Sequence, residues 1–230
     1  KGGAGLLWME ATAVKKEARA NPRQLMLNQD TGAEFKKMRE KTLQAAQEAM
    51  GPDHSPLMVV QLTHSGRYSK PEGYPEPIIA HHSEILDPTH NLSSSYPLIS
   101  DSELDQLQQR YVEAASLAAE IGYEAVDIKA CHGYLLHELL TAHTRKNSKY
   151  GGSFANRTRF LTEVIKKVKA ENPDLMVTTR LNVYDAIPYP YGFGMARDGS
   201  LKPDLSEPIQ LIQQLQELGI EHYLPLRKEL

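Results

Sequence analysis

The chain has 230 residues, a formal net charge of −3 and a single cysteine. That length suffices for one α/β barrel or one doubly wound domain. The charge offers no basic stripe for nucleic acid, and one cysteine excludes an intrachain disulfide framework and suits a reducing, cytoplasmic setting. No apolar run approaches the ~18 residues of a membrane span, and none reads as a signal peptide.

Residues 6–11 read as a short strand, ended by Glu10, Thr12 and the polar run beyond Val14. The first residue is lysine rather than methionine and the strand follows almost at once, so the sequence is expected to be a piece of a longer protein. Residues 15–33 are charged and turn-rich and read as a surface loop. Residues 33–50 suit an amphipathic helix, with Phe35, Met38, Ala45 and Met50 near one stripe. Gly51 and Pro52 stop it, and residues 57–63 form a strand whose Leu-Met-Val-Val run suits burial on both faces.

Residues 64–99 form a long irregular segment rich in proline, of the kind that is functional or disordered. His81, His82 and His90 within it read as solvated. The next helix is the clearest. Ser100 and Glu103 make a capping box, Leu104, Leu107, Tyr111, Ala115 and Ala118 make the buried stripe, and Gly122 closes it. Residues 125–128 end a buried strand. A helix over residues 155–171, a strand over 175–181 and a last helix with Pro208 in its first turn follow. That last helix has its stripe on Ile209, Ile212, Leu215 and Leu218, and a further strand starts near His222.

Strands alternating with helices mean parallel strands and right-handed crossovers. The alternation alone does not separate an open doubly wound sheet from a barrel. No Gly-x-Gly-x-x-Gly turn follows a strand, which speaks against the dinucleotide fold. Polar residues gather at strand carboxyl ends: Glu10, Gln61 with His64, Lys129 with His132, and Arg180. Barrel enzymes build their sites there.

Each candidate has a bland reading beside the functional one. Gln61 offers both a donor and an acceptor, which suits the edge of a heterocycle, and equally suits a structural bond to a loop. Arg180 either stabilises charge on a bound ring or pairs with Glu10 or Asp127. Lys129, His132 and Tyr134 crowd three proton-handling groups into six residues. Lys129 and His132 point apart on a regular strand and converge only through a bend, which Gly133 permits. Cys131 reads as packed, and Cys131, His132, His137 and His143 lack the tight spacing of a zinc set. The Tyr150-Gly-Gly-Ser turn reads as a loop pinned by Asn156, Arg157 and Arg159.

Three stretches together resemble the Old Yellow Enzyme family of NAD(P)H:flavin oxidoreductases. They are Gln-Leu-Thr-His-Ser-Gly-Arg at 61–67, His-Gly-Tyr-Leu-Leu at 132–136, and Tyr-Gly-Gly-Ser-Phe-Ala-Asn-Arg-Thr-Arg-Phe at 150–160. The resemblance implies an eight-stranded α/β barrel holding FMN, which NADH or NADPH reduces and which passes hydride to an electron-poor alkene. It implies cofactor contacts from Ala11 (through its backbone), Gln61 and Arg180. It gives His132 the substrate carbonyl and Tyr134 the proton. The family places a histidine where this chain has Lys129, which puts an ammonium near the same carbonyl. The family's Asn-x-Arg-x-Asp before Tyr150 is here Thr144, Lys146 and Ser148. The likeness implies a small-molecule substrate, no metal ion, no nucleic-acid or membrane partner, and is compatible with a homo-oligomer. It leaves open an iron–sulfur cluster, which some members carry further downstream.

The likeness runs from the family's second strand to its sixth. The chain is therefore expected to be a single FMN-binding domain, residues 1–230, truncated at both ends. Five strands leave such a barrel with open edges, so it is expected to be poorly stable and poor at holding FMN alone.

Overall fold

A computed structural model describes residues 2–220 and 223–227. Five parallel strands form one sheet in the order of the chain: β1 (Leu6–Ala13), β2 (Leu57–Thr63), β3 (Ala125–Ile128), β4 (Met176–Tyr184) and β5 (Tyr223–Arg227). Between them run α1 (Gly32–Met50), α2 (Asp101–Ile121), the short α3 (Leu135–Leu140), α4 (Phe154–Glu171) and α5 (Ser206–Glu217). A doubly wound sheet reverses its strand order at a switch point; here every strand lies beside its predecessor, as in a barrel.

The two faces of the sheet divide by chemistry. Val60, Leu62, Val126, Ile128, Val177 and Leu181 join one apolar core with Leu104, Leu107, Tyr111, Phe160, Leu161, Val164 and Val168 of α2 and α4. The opposite face carries the polar residues taken up below.

Local sequence accounts for the helix ends. The Ser100 hydroxyl accepts from the Glu103 amide while the Glu103 carboxylate accepts from the Ser100 amide, which completes the capping box of α2. Gly122 ends the helix at φ +99°, a conformation that glycine adopts without penalty. Ser153 caps α4 by accepting from Asn156 N at 3.3 Å.

The structure departs from expectation in several places. β1 continues to Ala13 and β4 to Tyr184, so Glu10 and Arg180 lie within strands rather than just past them. Local polarity suggested an end that pairing with neighbours overrides. Residues 15–33 are not simply a surface loop: Ala18, Gln24 and Leu27 are buried, and Met26 bridges to Ala13. Met50 and Ile209 are exposed, whereas Phe35 and Ala46 of α1 and Leu211 and Leu215 of α5 are buried. The α3 helix was not expected. Its six residues are too few for periodicity to register.

The long segment 64–99 is ordered by buried arginines. Arg67 donates to Glu138 Oε1, Asp87 Oδ1 and the His81 carbonyl. Arg145 donates to the Ala80 and Ile99 carbonyls and to Asp101. His81 is therefore not solvated: it is 1% exposed and its Nε2 lies 2.9 Å from Thr141 Oγ1. His82 is half-buried against Asp87, and the His90 ring meets Tyr68 edge-on.

Candidate active site

Register builds the site. Ala11, Gln61, Asp127 and Thr178 lie level across β1 to β4. Side chains two apart share a strand face, so Thr63, Lys129 and Arg180 form the next row toward the strand ends. Backbone pairing continues past the end of β3, with Lys129 N donating to Leu62 O and Ala130 N to Arg180 O.

This face is polar and mostly buried, with Gln61, Thr63, Asp127, Lys129 and Thr178 each at 5% exposure or less. Asp127 Oδ2 accepts from Trp8 Nε1 at 3.3 Å and from Gln61 Nε2. Burial pushes the Asp127 carboxyl up to about 6, against the opposing pull of Gln61, Trp8 and Arg180. Asp127 Oδ1, Thr63 Oγ1 and Arg180 Nε are buried with no hydrogen-bond partner. Arg180 makes no close ion pair with Glu10 or Asp127 among the described residues, although its charge acts on Asp127 through space. The Ala11 carbonyl accepts from Gln24 Nε2 at 2.7 Å.

Beyond β3 the chain turns sharply. His132 and Gly133 take φ +64° and +70° in succession, and Tyr134 starts α3. A left-handed histidine costs roughly 1 kcal/mol, so surrounding contacts must hold it. The turn brings Tyr134 back over the sheet end, with the Lys129 ammonium 4.0 Å from its ring centroid. The bend that Gly133 permitted is thus present, and it joins Lys129 to Tyr134. His132 stands on the same turn with its side chain exposed and its backbone N–H 3.4 Å from Asn182 Oδ1. Burial lowers the Lys129 ammonium and raises the Tyr134 phenol. Cys131 is wholly buried and its thiol is pushed up to about 12 by burial, so it is a packing residue and not a thiolate.

Sequence reasoning missed several polar residues around this turn. Asp127 entered only as a partner for Arg180, and only the register places it beside Gln61. Asp185 and His137, paired at 2.9 Å, and Asn182 beneath the turn gave no sequence signal, because they meet only once β4 is in place. Arg145, in the loop before Tyr150, donates to Ser148 Oγ and Asp101 and so pins that loop. Asn156, Arg157 and Arg159 do pin the Gly151-Gly152 turn, through bonds to the Gly151, Gly152 and Lys149 carbonyls.

Sequential parallel strands with a polar row at their carboxyl halves define an α/β-barrel enzyme. The particular family follows from comparison. Residues 1–193 match the NADH:flavin oxidoreductase / NADH oxidase family, and the chain belongs to it. An NADPH dehydrogenase of Bacillus subtilis (strain 168) is 31% identical over 172 residues, covering 73% of this chain and 46% of that protein. An N,N-dimethylglycine/sarcosine dehydrogenase of Chromohalobacter salexigens is 31% identical over 130 residues, covering 56% of this chain and 18% of that protein. The structure of morphinone reductase in complex with tetrahydroNAD superposes with a TM-score of 0.72 at 25% identity, covering 96% of this chain and 61% of that one. The chain thus spans about half the length of the NADPH dehydrogenase it matches.

The family works with FMN and with NADH or NADPH. The residues here fit a flavin. A planar heterocycle with alternating carbonyl and N–H groups needs donors and acceptors along one edge. Gln61 and the unpartnered Thr63 Oγ1, Asp127 Oδ1 and Arg180 Nε offer both kinds, on one face of adjacent strands. Among the described residues no helix is long and apolar enough to cross a membrane, and no group of three metal-ligating side chains occurs.

Proposed function

We propose that the protein is an ene-reductase-like enzyme that reduces a C=C bond conjugated to a carbonyl in a small molecule. Gln61, Arg180 and the Ala11 backbone would hold FMN, which when bound supplies hydride after reduction by NADH or NADPH. Arg180 would face negative charge on the pyrimidine end of the ring. His132 and Lys129 would bear on the substrate's carbonyl oxygen and stabilise enolate charge as it develops. Tyr134 would give its phenolic proton to the alkene carbon. Its raised pKa keeps that proton in place at neutral pH.

The observation that carries this reading is the Lys129–Tyr134 contact of 4.0 Å, one row above Gln61 and Asp127. It joins a cation and a proton donor at one spot, as carbonyl-conjugated reduction requires. The dimethylglycine/sarcosine dehydrogenase relative suggests amine oxidation as a second reading. A lysine at 129 opposes it, since an ammonium beside a cationic amine substrate is repulsive.

The test separates the half-reactions. Tyr134→Phe should slow alkene reduction by about 10²–10⁴-fold, the usual worth of a positioned proton donor. Flavin reduction by NADPH should stay near wild type. Equal loss in both steps would defeat the assignment.

A further inference from the structure

The His132–Gly133 turn has two backbone N–H groups to satisfy, and both are met by buried side chains that share one neighbour. His132 N lies 3.4 Å from Asn182 Oδ1, and Gly133 N donates to His137 Nδ1 at 2.8 Å. Asn182 Nδ2 in turn donates to Asp185 Oδ1 at 2.9 Å, and His137 Nε2 lies 2.9 Å from Asp185 Oδ2. Asp185 is 0% exposed, Asn182 1% and His137 4%. The Asp185 carboxylate is itself fixed by the Phe193 amide at 2.7 Å. Burial pushes its carboxyl up, but His137, Asn182 and Phe193 outweigh that and hold it below the usual range.

We infer that Asp185 is a positioning residue for the proposed reaction: it sets the tautomer of His137 and the orientation of Asn182, and so holds the left-handed turn that carries His132 and Tyr134. The inference rests on the ene-reductase reading only for its effect on rate.

The chemistry is a matter of valence. A neutral imidazole has one N–H and one lone pair. Nδ1 can accept from Gly133 only if the proton is on Nε2. The carboxylate beside Nε2 favours that tautomer, because it can only accept. The Asn182 amide faces the same logic: with Nδ2 toward the carboxylate, Oδ1 is left for His132 N. One acid thereby presents two acceptors to two consecutive amides. The contact at Nε2 is close but poorly aligned for a hydrogen bond, so the control is electrostatic rather than a straight bond. An asparagine at 185 has one oxygen where two are needed: with Nδ2 in the Oδ2 position it opposes Phe193 N–H and His137 Nε2–H, and with Nδ2 in the Oδ1 position it opposes Asn182 Nδ2, so one of the two acceptors presented to the turn is lost either way. The turn would relax, and a displacement of about 1 Å at a reacting group can cost 10²-fold.

Two measurements on the flavin-loaded holoenzyme test this. The first is ¹⁵N NMR of the His137 ring, which distinguishes the tautomers irrespective of activity. Wild type should show Nε2–H, and Asp185→Ala, which removes the carboxylate beside Nε2, should lose that preference. A wild-type ring protonated on Nδ1 overturns the proposal even if the variant cannot be obtained folded. The second is alkene reduction in a double-mutant cycle. Asp185→Asn should lose roughly tenfold to a hundredfold alone. His137→Asn places an amide oxygen where Nδ1 was and has no tautomer to set. Adding Asp185→Asn to it should cost clearly less than it does in wild type, because only the Asn182 route is left to lose. An equal loss in both backgrounds means that Asp185 does not act through His137, and the proposal fails. If the tautomer preference is lost but no alkene is reduced by any form, the positioning role stands and the ene-reductase reading falls.

Discussion

Arg67→Ala tests whether the loop over the sheet is held by a buried ion cluster. The Arg67 side chain is 0% exposed and Glu138 is 3% exposed. Arg67 gives Glu138 Oε1 two bonds, of 2.8 and 2.5 Å, while Glu138 Oε2 accepts only from Ala80 N at 2.8 Å. Truncation strands the Glu138 carboxylate in the interior with one neutral donor. Breaking a buried pair in this way costs about 3–5 kcal/mol, most of it the penalty of an uncompensated charge. For a chain of this size each kcal/mol moves the midpoint by about 2–4 °C, so Tm should fall by on the order of 10 °C. Glu138→Gln added to Arg67→Ala removes the stranded charge and should recover a large part of the loss. The pH dependence has a sign as well. His82 and Arg67 outweigh burial and hold Asp87 below the usual carboxylate range, so its contribution is present at neutral pH and lost as acid protonates it. Without Arg67 the folded carboxyl is depressed less, so that acid loss should be smaller and end at a higher pH. Thermal and urea unfolding of the four proteins of the cycle gives the answer. A loss under about 1 kcal/mol for Arg67→Ala, or a further loss on adding Glu138→Gln, would refute the reasoning.

Ser100→Ala removes the capping box of α2 and should cost about 1 kcal/mol in urea unfolding, with faster amide exchange confined to the first turn of that helix. Asp127→Asn should stabilise the protein increasingly as pH rises from about 4 to about 6. Burial holds the folded carboxyl at about 6, so wild type loses stability across that window while the amide does not. At about 1.4 kcal/mol per pH unit the difference approaches roughly 3 kcal/mol at neutral pH. A pH-independent difference between the two proteins would show that Asp127 titrates normally.

Some of this was legible in the sequence because it is written locally. The apolar runs of β2 and β3, the Ser100–Glu103 box and the stripes of α2 and α4 depend on residues a few positions apart, and the structure keeps them. The motif at 61–67 and the His-Gly-Tyr turn are local in the same sense, and the family match covers both. What stayed hidden depends on partners far along the chain. His81 looks like a loop histidine until Thr141 meets its ring and Arg67 meets its carbonyl. Asp127 looks like one acid among many until the register sets it level with Gln61. The ends of β1 and β4 were misread because polar side chains on a barrel's inner face resemble the start of a loop. The choice of barrel over open sheet required the strand order, which no periodicity encodes.

The arginines bear on the proposal that the inner face of β1 to β4 binds a cofactor. Arg67, Arg145 and Arg157 are each 7% exposed or less, and in each the Nε, Nη1 and Nη2 groups all meet an acceptor on the chain itself. Folding has supplied each of them with carbonyls and carboxylates from distant segments, as desolvation of a guanidinium demands. Arg180 differs from these three in having Nε buried and unmatched, as Arg19 and Arg39 also do away from this face. Two strands away Thr63 Oγ1 is unmatched as well, and between them so is Asp127 Oδ1. Unpaired buried polar atoms cost about 1–3 kcal/mol each, and a scaffold that satisfies three other arginines so fully does not lack acceptors. Their clustering on one face of three adjacent strands, in a chain of the flavin oxidoreductase family, supports the proposal that this face meets the polar edge of a flavin.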